Sequence, residues 1–193
     1  AQVGLYNAGF AIINTYVGLV FTAMGTDYYP RLSGVAYNNI KAKETINQQA
    51  EISILILAPI LMVFLVFINW VVIIFYSTKF IEVNEMIHWA ALGIFFKASS
   101  WSIAFILLAK GASKIFFWNE LIGNLYVLLI NIIGYKIAGL EGLGISFFIG
   151  YFIYYIQVFL IAKTKYEFTF KKAFYKIFGV QFFLGLLCFF TVK

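Results

Sequence analysis

A lysine interrupts an apolar run. Residues 93–111 read Gly-Ile-Phe-Phe-Lys-Ala-Ser-Ser-Trp, then eight mostly apolar residues, before the next lysine at Lys110. Lys97 lies about ten residues from His88 and about thirteen from Lys110, or on the order of 15–20 Å from either end at 1.5 Å per helical residue. A lysine stem cannot carry its ammonium to water over that distance. A cation at that depth costs at least ~2.5–3.5 kcal/mol, so it needs a watery cavity or a partner. Two environments suit it: a buried ion pair, with Glu120 for example, or a cavity that receives an anion. Ser100 and Trp101 add a hydroxyl and an amphipathic ring at similar depth.

Other polar residues recur at helical spacing. Gly4, Asn7, Ala11, Asn14 and Gly18 form one small, polar stripe. It can serve close helix packing, a cavity wall, or both. Glu120, Gly123, Asn124, Asn131, Gly134 and Tyr135 fall within about a third of a helix circumference at 3.6 residues per turn. Glu120 lies about two turns from Lys114, so it reads either as an interfacial carboxylate paired with a loop lysine or as a group that handles substrate or protons. Pro59 is expected to kink its helix. Gln157 and Gln181 read as packing amides, and His88 beside Trp89 as an interfacial histidine.

The elements that must position these residues follow from composition. The 193 residues are 63% hydrophobic and 11% charged, against roughly 45–50% and about 25% in soluble domains. The chain is therefore expected to be an all-α, polytopic transmembrane bundle. Six apolar runs suit spans of about 20 residues, at 4–25, 52–76, 87–109, 115–138, 143–162 and 176–192. Between the first two lies a polar stretch, 27–50. Within it Leu32, Val35, Ala36 and Ile40 follow Pro30 at helical spacing, which suggests an amphipathic interfacial helix in a cytoplasmic loop. Trp70, Tyr76, Trp89 and Trp118 lie near span ends, as interfacial aromatics do.

Alternate loops differ sharply in charge. One set holds Arg31, Lys41, Lys43, Lys110, Lys114, Lys163, Lys165, Lys171, Lys172 and Lys176, and the other Lys79 and Lys136. Basic loops stay in the cytoplasm, so the net charge of +6 is a topology signal and does not call for nucleic acid. The chain then starts on the outer side. Ala1 at the start and apolar sequence up to Lys193 suggest a portion of a longer protein.

Catalysis finds little support. There is one Cys, Cys188, one His, His88, and one Asp, Asp27. A disulfide framework, a Cys/His zinc site and an aspartate cluster for magnesium are all excluded within this sequence. No phosphate-binding loop, nucleophile elbow or zinc-protease motif is present. No enzyme activity, cofactor or metal is expected.

Several runs resemble a known family. Gly4-Leu5-Tyr6-Asn7-Ala8-Gly9-Phe10, Ala23-Met24-Gly25-Thr26-Asp27-Tyr28-Tyr29-Pro30-Arg31-Leu32-Ser33 and Asn47-Gln48-Gln49-Ala50-Glu51 are similar to bacterial O-antigen flippases of the Wzx type. So are Tyr76-Ser77-Thr78-Lys79-Phe80, Lys97-Ala98-Ser99-Ser100-Trp101 and Leu140-Glu141-Gly142-Leu143-Gly144. That group belongs to the multidrug/oligosaccharidyl-lipid/polysaccharide exporter superfamily. The resemblance implies most of the second bundle of a two-bundle, MATE-like transporter in the bacterial inner membrane. It implies flipping of an undecaprenyl-pyrophosphate-linked O-antigen or polysaccharide repeat unit by alternating access, with a proton or sodium gradient as the drive. Lys97 would meet the pyrophosphate; Asn7, Asn14, Asn124, Asn131 and Ser100 would face sugar. Glu120 would tune charge or couple transport, and Arg31 and Pro59 would anchor or gate. Membrane lipids and a glycan polymerase or ligase complex are the implied partners. The alternatives are a multidrug or other lipid-headgroup exporter of the same superfamily, or a non-transport component of a glycan-assembly complex.

Overall fold

The computed structural model describes residues 2–75 and 78–192, without the side chains of residues 2, 3, 8, 12–14, 16, 75 and 79. Tyr76, expected at a span end, lies outside the described residues. The described chain is helical: α1 (Gln2–Val35), α2 (Asn39–Phe75), a short 3₁₀ segment (Thr78–Val83), α3 (Asn84–Ala109), α4 (Ser113–Tyr166) and α5 (Lys172–Val192). Among the described residues four helices, in α2, α3, α4 and α5, are long and apolar enough to cross a membrane. In hydrocarbon a backbone must satisfy its own hydrogen bonds, and a continuous helix does so.

α3 is the centre. Its most apolar stretch is 78% buried, against 39%, 28% and 17% in α2, α4 and α5. Helices α1, α2, α4 and α5 all pack on it. Ala90, Ala91, Gly93, Ala98, Ser99, Ser100 and Ser102 are among its buried residues, and small side chains let neighbouring backbones approach. At Gly144 of α4 the approach is close enough that a Cβ would strike the Met86 carbonyl oxygen.

α4 is not a straight rod. Ala138 (φ −134°, ψ 20°) and Gly139 (φ 56°, ψ −130°) leave helical geometry, and only glycine adopts the second conformation readily. The chain folds back there. Ser146 Oγ donates to the Ile130 carbonyl at 2.9 Å, Gly150 packs on Val127, Gly123 packs on Tyr154, and Gln157 Nε2 donates to Asn119 Oδ1 at 2.8 Å. Every pair is centred between residues 138 and 139 or on residue 138, so the arms 113–137 and 140–166 run antiparallel. Each arm is about 36–40 Å long at 1.5 Å per residue, more than a ~30 Å hydrocarbon core requires. The expected spans at 115–138 and 143–162 fall in these two arms.

The polar stretch 27–50 is not a loop. α1 continues through Pro30 to Val35, and α2 begins at Asn39. Only a short turn separates them, in which Asn38 N–H bonds the Val35 carbonyl at 2.9 Å. Asn38 Oδ1 accepts from Lys41 N–H at 3.1 Å, which caps the start of α2. Pro30 removes one helical hydrogen bond, but Tyr28 and Leu32 on either side of it are fully buried, and Arg31 Nε meets Asp27 Oδ2 at 2.7 Å one turn away. Tertiary packing holds the helix where composition suggests a loop. Leu32 and Ala36 face inward while Ile40 is exposed.

The α1–α2, α3–α4 and α4–α5 turns gather at one end. Lys110 Nζ donates to Asn39 Oδ1 at 2.8 Å, and Lys171 Nζ lies 3.7 Å from Glu44 Oε1. Asn47 of α2, 1% exposed, clamps the α4–α5 turn. Its Oδ1 accepts from Lys171 N–H at 2.7 Å, and its Nδ2 donates to the Thr169 carbonyl at 3.2 Å. Asn47→Ala strands both backbone groups and is expected to cost about 1–3 kcal/mol. Limited proteolysis should then cut near residues 167–171; a protected turn and an unshifted melting temperature would contradict the clamp.

Candidate functional site

A cavity of about 310 Å³ lies between α3 and the two arms of α4. Helical spacing supplies its walls. Lys97, Ser100, Trp101 and Ala104 come from α3; Phe116, Glu120, Gly123, Asn124 and Val127 from the first arm; Tyr151 and Tyr154 from the second. Residues three or four apart share a face, so each helix offers one polar stripe to the same space. Its size is at the lower end for ligand pockets. Ser100 is fully buried and Asn124 is exposed, so the cavity runs from the bundle interior to the surface.

Lys97 is half-buried and forms no ion pair among the described residues. Its Nζ lies 5.2 Å from the Tyr151 ring centre, 5.7 Å from Phe147 and 5.9 Å from Phe21. A cation over a ring face gains about 0.5–2 kcal/mol, but a ring offers the three N–H donors no lone pairs of the kind an oxyanion supplies. The ammonium is held by charge and left short of hydrogen-bond acceptors.

Glu120 is satisfied differently. Tyr154 Oη donates a hydrogen bond to Glu120 Oε1, and Asn119 Nδ2 donates to the same oxygen at 3.1 Å. Gln157 Nε2 donates to the Asn119 carbonyl at 3.0 Å and to its Oδ1 at 2.8 Å. Neutral donors from both arms therefore hold the carboxylate, and no loop lysine pairs with it among the described residues. The two opposite charges share a cavity without forming the ion pair that was one reading of Lys97.

The two remaining amide and hydroxyl groups lean on their own helices. Asn124 Nδ2 donates to the Glu120 carbonyl at 2.8 Å, and Ser100 Oγ donates to the Lys97 carbonyl at 3.0 Å. Both side chains still line the cavity, so their oxygens can accept.

Of the residues singled out from sequence, Lys97, Ser100, Glu120 and Asn124 come together. Asn131 is half-buried on the first arm but does not line the cavity. Asn7 is exposed, and no atom lies within 4 Å of a Cβ built at Gly4 or Gly18. That part of the α1 stripe faces away from this bundle; the Asn14 side chain lies outside the described residues. Arg31 sits at the charged end, paired with Asp27 and donating to Gln49 Oε1 at 3.2 Å, which suits an anchor. Pro59 lies on an exposed face of α2, and the helix continues through it. In the α4 stripe, Gly123 and Gly134 pack against the second arm while Glu120 and Asn124 face the cavity, so one face does both jobs.

Sequence reasoning missed Tyr151, Tyr154 and Asn119. The available signal was the spacing Phe147, Tyr151, Tyr154, which puts three rings on one helix face. It went unread because 21% of the chain is aromatic.

A family model described as a polysaccharide biosynthesis protein matches residues 1–85. The matched stretch contains α1, α2, the 3₁₀ segment and the first two residues of α3, with Asn7, Asn14, Arg31 and Pro59; the cavity residues lie beyond it. No curated protein and no solved structure matches the chain. Together with the apolar helices, the match supports a multi-pass membrane protein with a role in polysaccharide biosynthesis or export.

Proposed function

We propose that this chain is part of a flippase that carries an undecaprenyl-pyrophosphate-linked saccharide across the bacterial inner membrane, from the cytoplasmic to the outer leaflet. The observation that carries this reading is Lys97: a cation in the bundle interior, without an ion pair among the described residues, bordering a cavity that reaches the surface. A pyrophosphate bears about two negative charges that hydrocarbon cannot solvate, and charge-assisted hydrogen bonds from an ammonium are among the strongest a protein offers. Ser100 and Asn124 supply acceptor oxygens for sugar hydroxyls. The family match over residues 1–85 supports a glycan-related cargo.

In this reading the chain crosses the membrane six times, through α1, α2, α3, both arms of α4 and α5, with the lysine-rich turns in the cytoplasm. It forms one bundle of a MATE-like pair. Transport is alternating access without a chemical step on the saccharide, driven by a proton or sodium gradient. Glu120 serves that coupling in this reading, which is supported by the hydrogen bonds through which it links the two arms. Glu120→Gln should leave uptake of a fluorescent prenyl-pyrophosphate sugar into proteoliposomes measurable but insensitive to a collapsed proton gradient. An unchanged gradient response would reduce Glu120 to a structural carboxylate. A multidrug exporter of the same superfamily is disfavoured by a cation in the cavity, since a cationic drug would be repelled there.

The reading is tested by translocation itself. Proteoliposomes containing the protein should flip the prenyl-pyrophosphate sugar and lose that activity when inorganic pyrophosphate is present in excess. Equal flipping of an uncharged prenyl glycoside would contradict it.

A further inference from the structure

We propose that Phe21, Phe147 and Tyr151 form a resting cage for the Lys97 ammonium, which the cation leaves when phosphate enters the cavity. The inference rests on the anion-carrier reading above and adds residues to it.

The cage joins three elements. Phe21 belongs to α1, Lys97 to α3, and Phe147 and Tyr151 to the second arm of α4, with ring centres 5.2–5.9 Å from Nζ. The rings are themselves packed: Phe147 stands 4.6 Å from Tyr151 and 5.7 Å from Phe10, and Phe21 stands 5.3 Å from Trp101. They hold their places whether or not the ammonium is among them. Tyr151 also lines the cavity that Lys97 borders, so cage and cavity are adjacent and a rotamer change moves the cation between them.

The chemistry of the two positions differs. Rings attract the charge through their quadrupole but leave the N–H donors without oxygen acceptors. A phosphate oxygen satisfies both charge and donors. A carboxylate could do the same, yet Glu120 in the same cavity is already engaged by Tyr154 and Asn119. The cage thus keeps an unliganded lysine away from Glu120 and sets a threshold that a weakly charged ligand does not cross. When the cation leaves, it ceases to bridge α1 and α4. Phe147 and Tyr151 are positioning residues here; they act through Lys97.

The test uses the whole protein in lipid nanodiscs with its lysines reductively ¹³C-dimethylated, which preserves their charge; Lys97→Arg identifies the Lys97 methyl signal. Ring currents should displace that signal upfield from the exposed lysines, and inorganic pyrophosphate should return it toward them. Tyr151→Phe keeps the ring and should keep the displacement. Tyr151→Leu and Phe147→Leu should each reduce it and, by removing a competitor for the ammonium, tighten pyrophosphate binding by roughly 2- to 5-fold, the factor one exposed cation–π contact represents. Rings that merely supported the fold would weaken binding on removal. A Lys97 signal among the exposed lysines, or weaker binding in the leucine variants, overturns the cage while leaving the carrier reading intact. Pyrophosphate binding that survives Lys97→Ala overturns the carrier reading and the cage with it.

Discussion

Lys97→Ala is expected to abolish surface glycan in a strain that depends on this protein, with membrane insertion and protein level unchanged. Removing the ammonium leaves the cavity with Glu120 as its charged lining group, so the field inside turns from receptive to repulsive for phosphate. An amine-to-phosphate contact contributes about 1.5–3 kcal/mol as a charged hydrogen bond, or roughly 10- to 100-fold in affinity, before the like-charge term is added. Truncation relieves the half-buried cation of part of its desolvation cost while losing its ring contacts, so stability should change little. That combination, lost transport with retained stability, separates a binding residue from a packing residue. Lys97→Arg keeps the charge on a bulkier, planar head and should retain partial export. Wild-type glycan in the alanine variant would remove Lys97 from the mechanism.

Gly134→Val is expected to prevent accumulation of folded protein. A Cβ at Gly134 would meet Ser146 Oγ and the Gly142 carbonyl, and one at Gly142 would meet the Gly134 carbonyl. The arms of α4 touch there backbone to backbone, five residues or fewer from their reversal at Gly139. Overpacking a core costs typically about 1–3 kcal/mol when side chains can yield; here the obstacle is main chain, so the loss should exceed that. The misplaced arm carries Tyr151 and Tyr154 with it, and the cavity goes too. Gly179→Ala is the control, because no atom lies within 4 Å of its Cβ position, and alanine should be neutral or stabilising there by up to ~1 kcal/mol. Fluorescence-detected size exclusion of both variants checks the pair; equal monodisperse peaks would contradict the arm contact.

Different physics governed what the sequence could reveal. Apolar runs announce helices because the bilayer demands a minimum length and internal hydrogen bonding. The break at Ala138–Gly139 was legible because glycine interrupts an apolar run near Lys136 and Glu141. The stretch 27–50 misled because its polarity suggests a loop, whereas Tyr28, Leu32, Ala42, Ile46 and Ala50, all buried, carry two helices well beyond the apolar runs. In the site, Lys97 and Glu120 stood out because charge within apolar sequence is costly. Whether they pair depends on how the two arms of α4 fold back and pack on α3, which no local pattern encodes. The α1 stripe shows the converse: Asn7 has the right type and spacing, but its face turns from the cavity that α3 and α4 enclose.

The most direct measurement is binding of a prenyl-pyrophosphate sugar and of the same sugar on an uncharged prenyl alcohol, to the wild-type protein and to Lys97→Gln, in nanodiscs at fixed salt. An ammonium that faces a wet, anion-receptive cavity predicts at least ~10-fold preference for the pyrophosphate lipid in the wild type, the scale of one charged hydrogen bond, and near-equal affinities in the variant. Equal affinities in the wild type, or a preference that survives in Lys97→Gln, would contradict it.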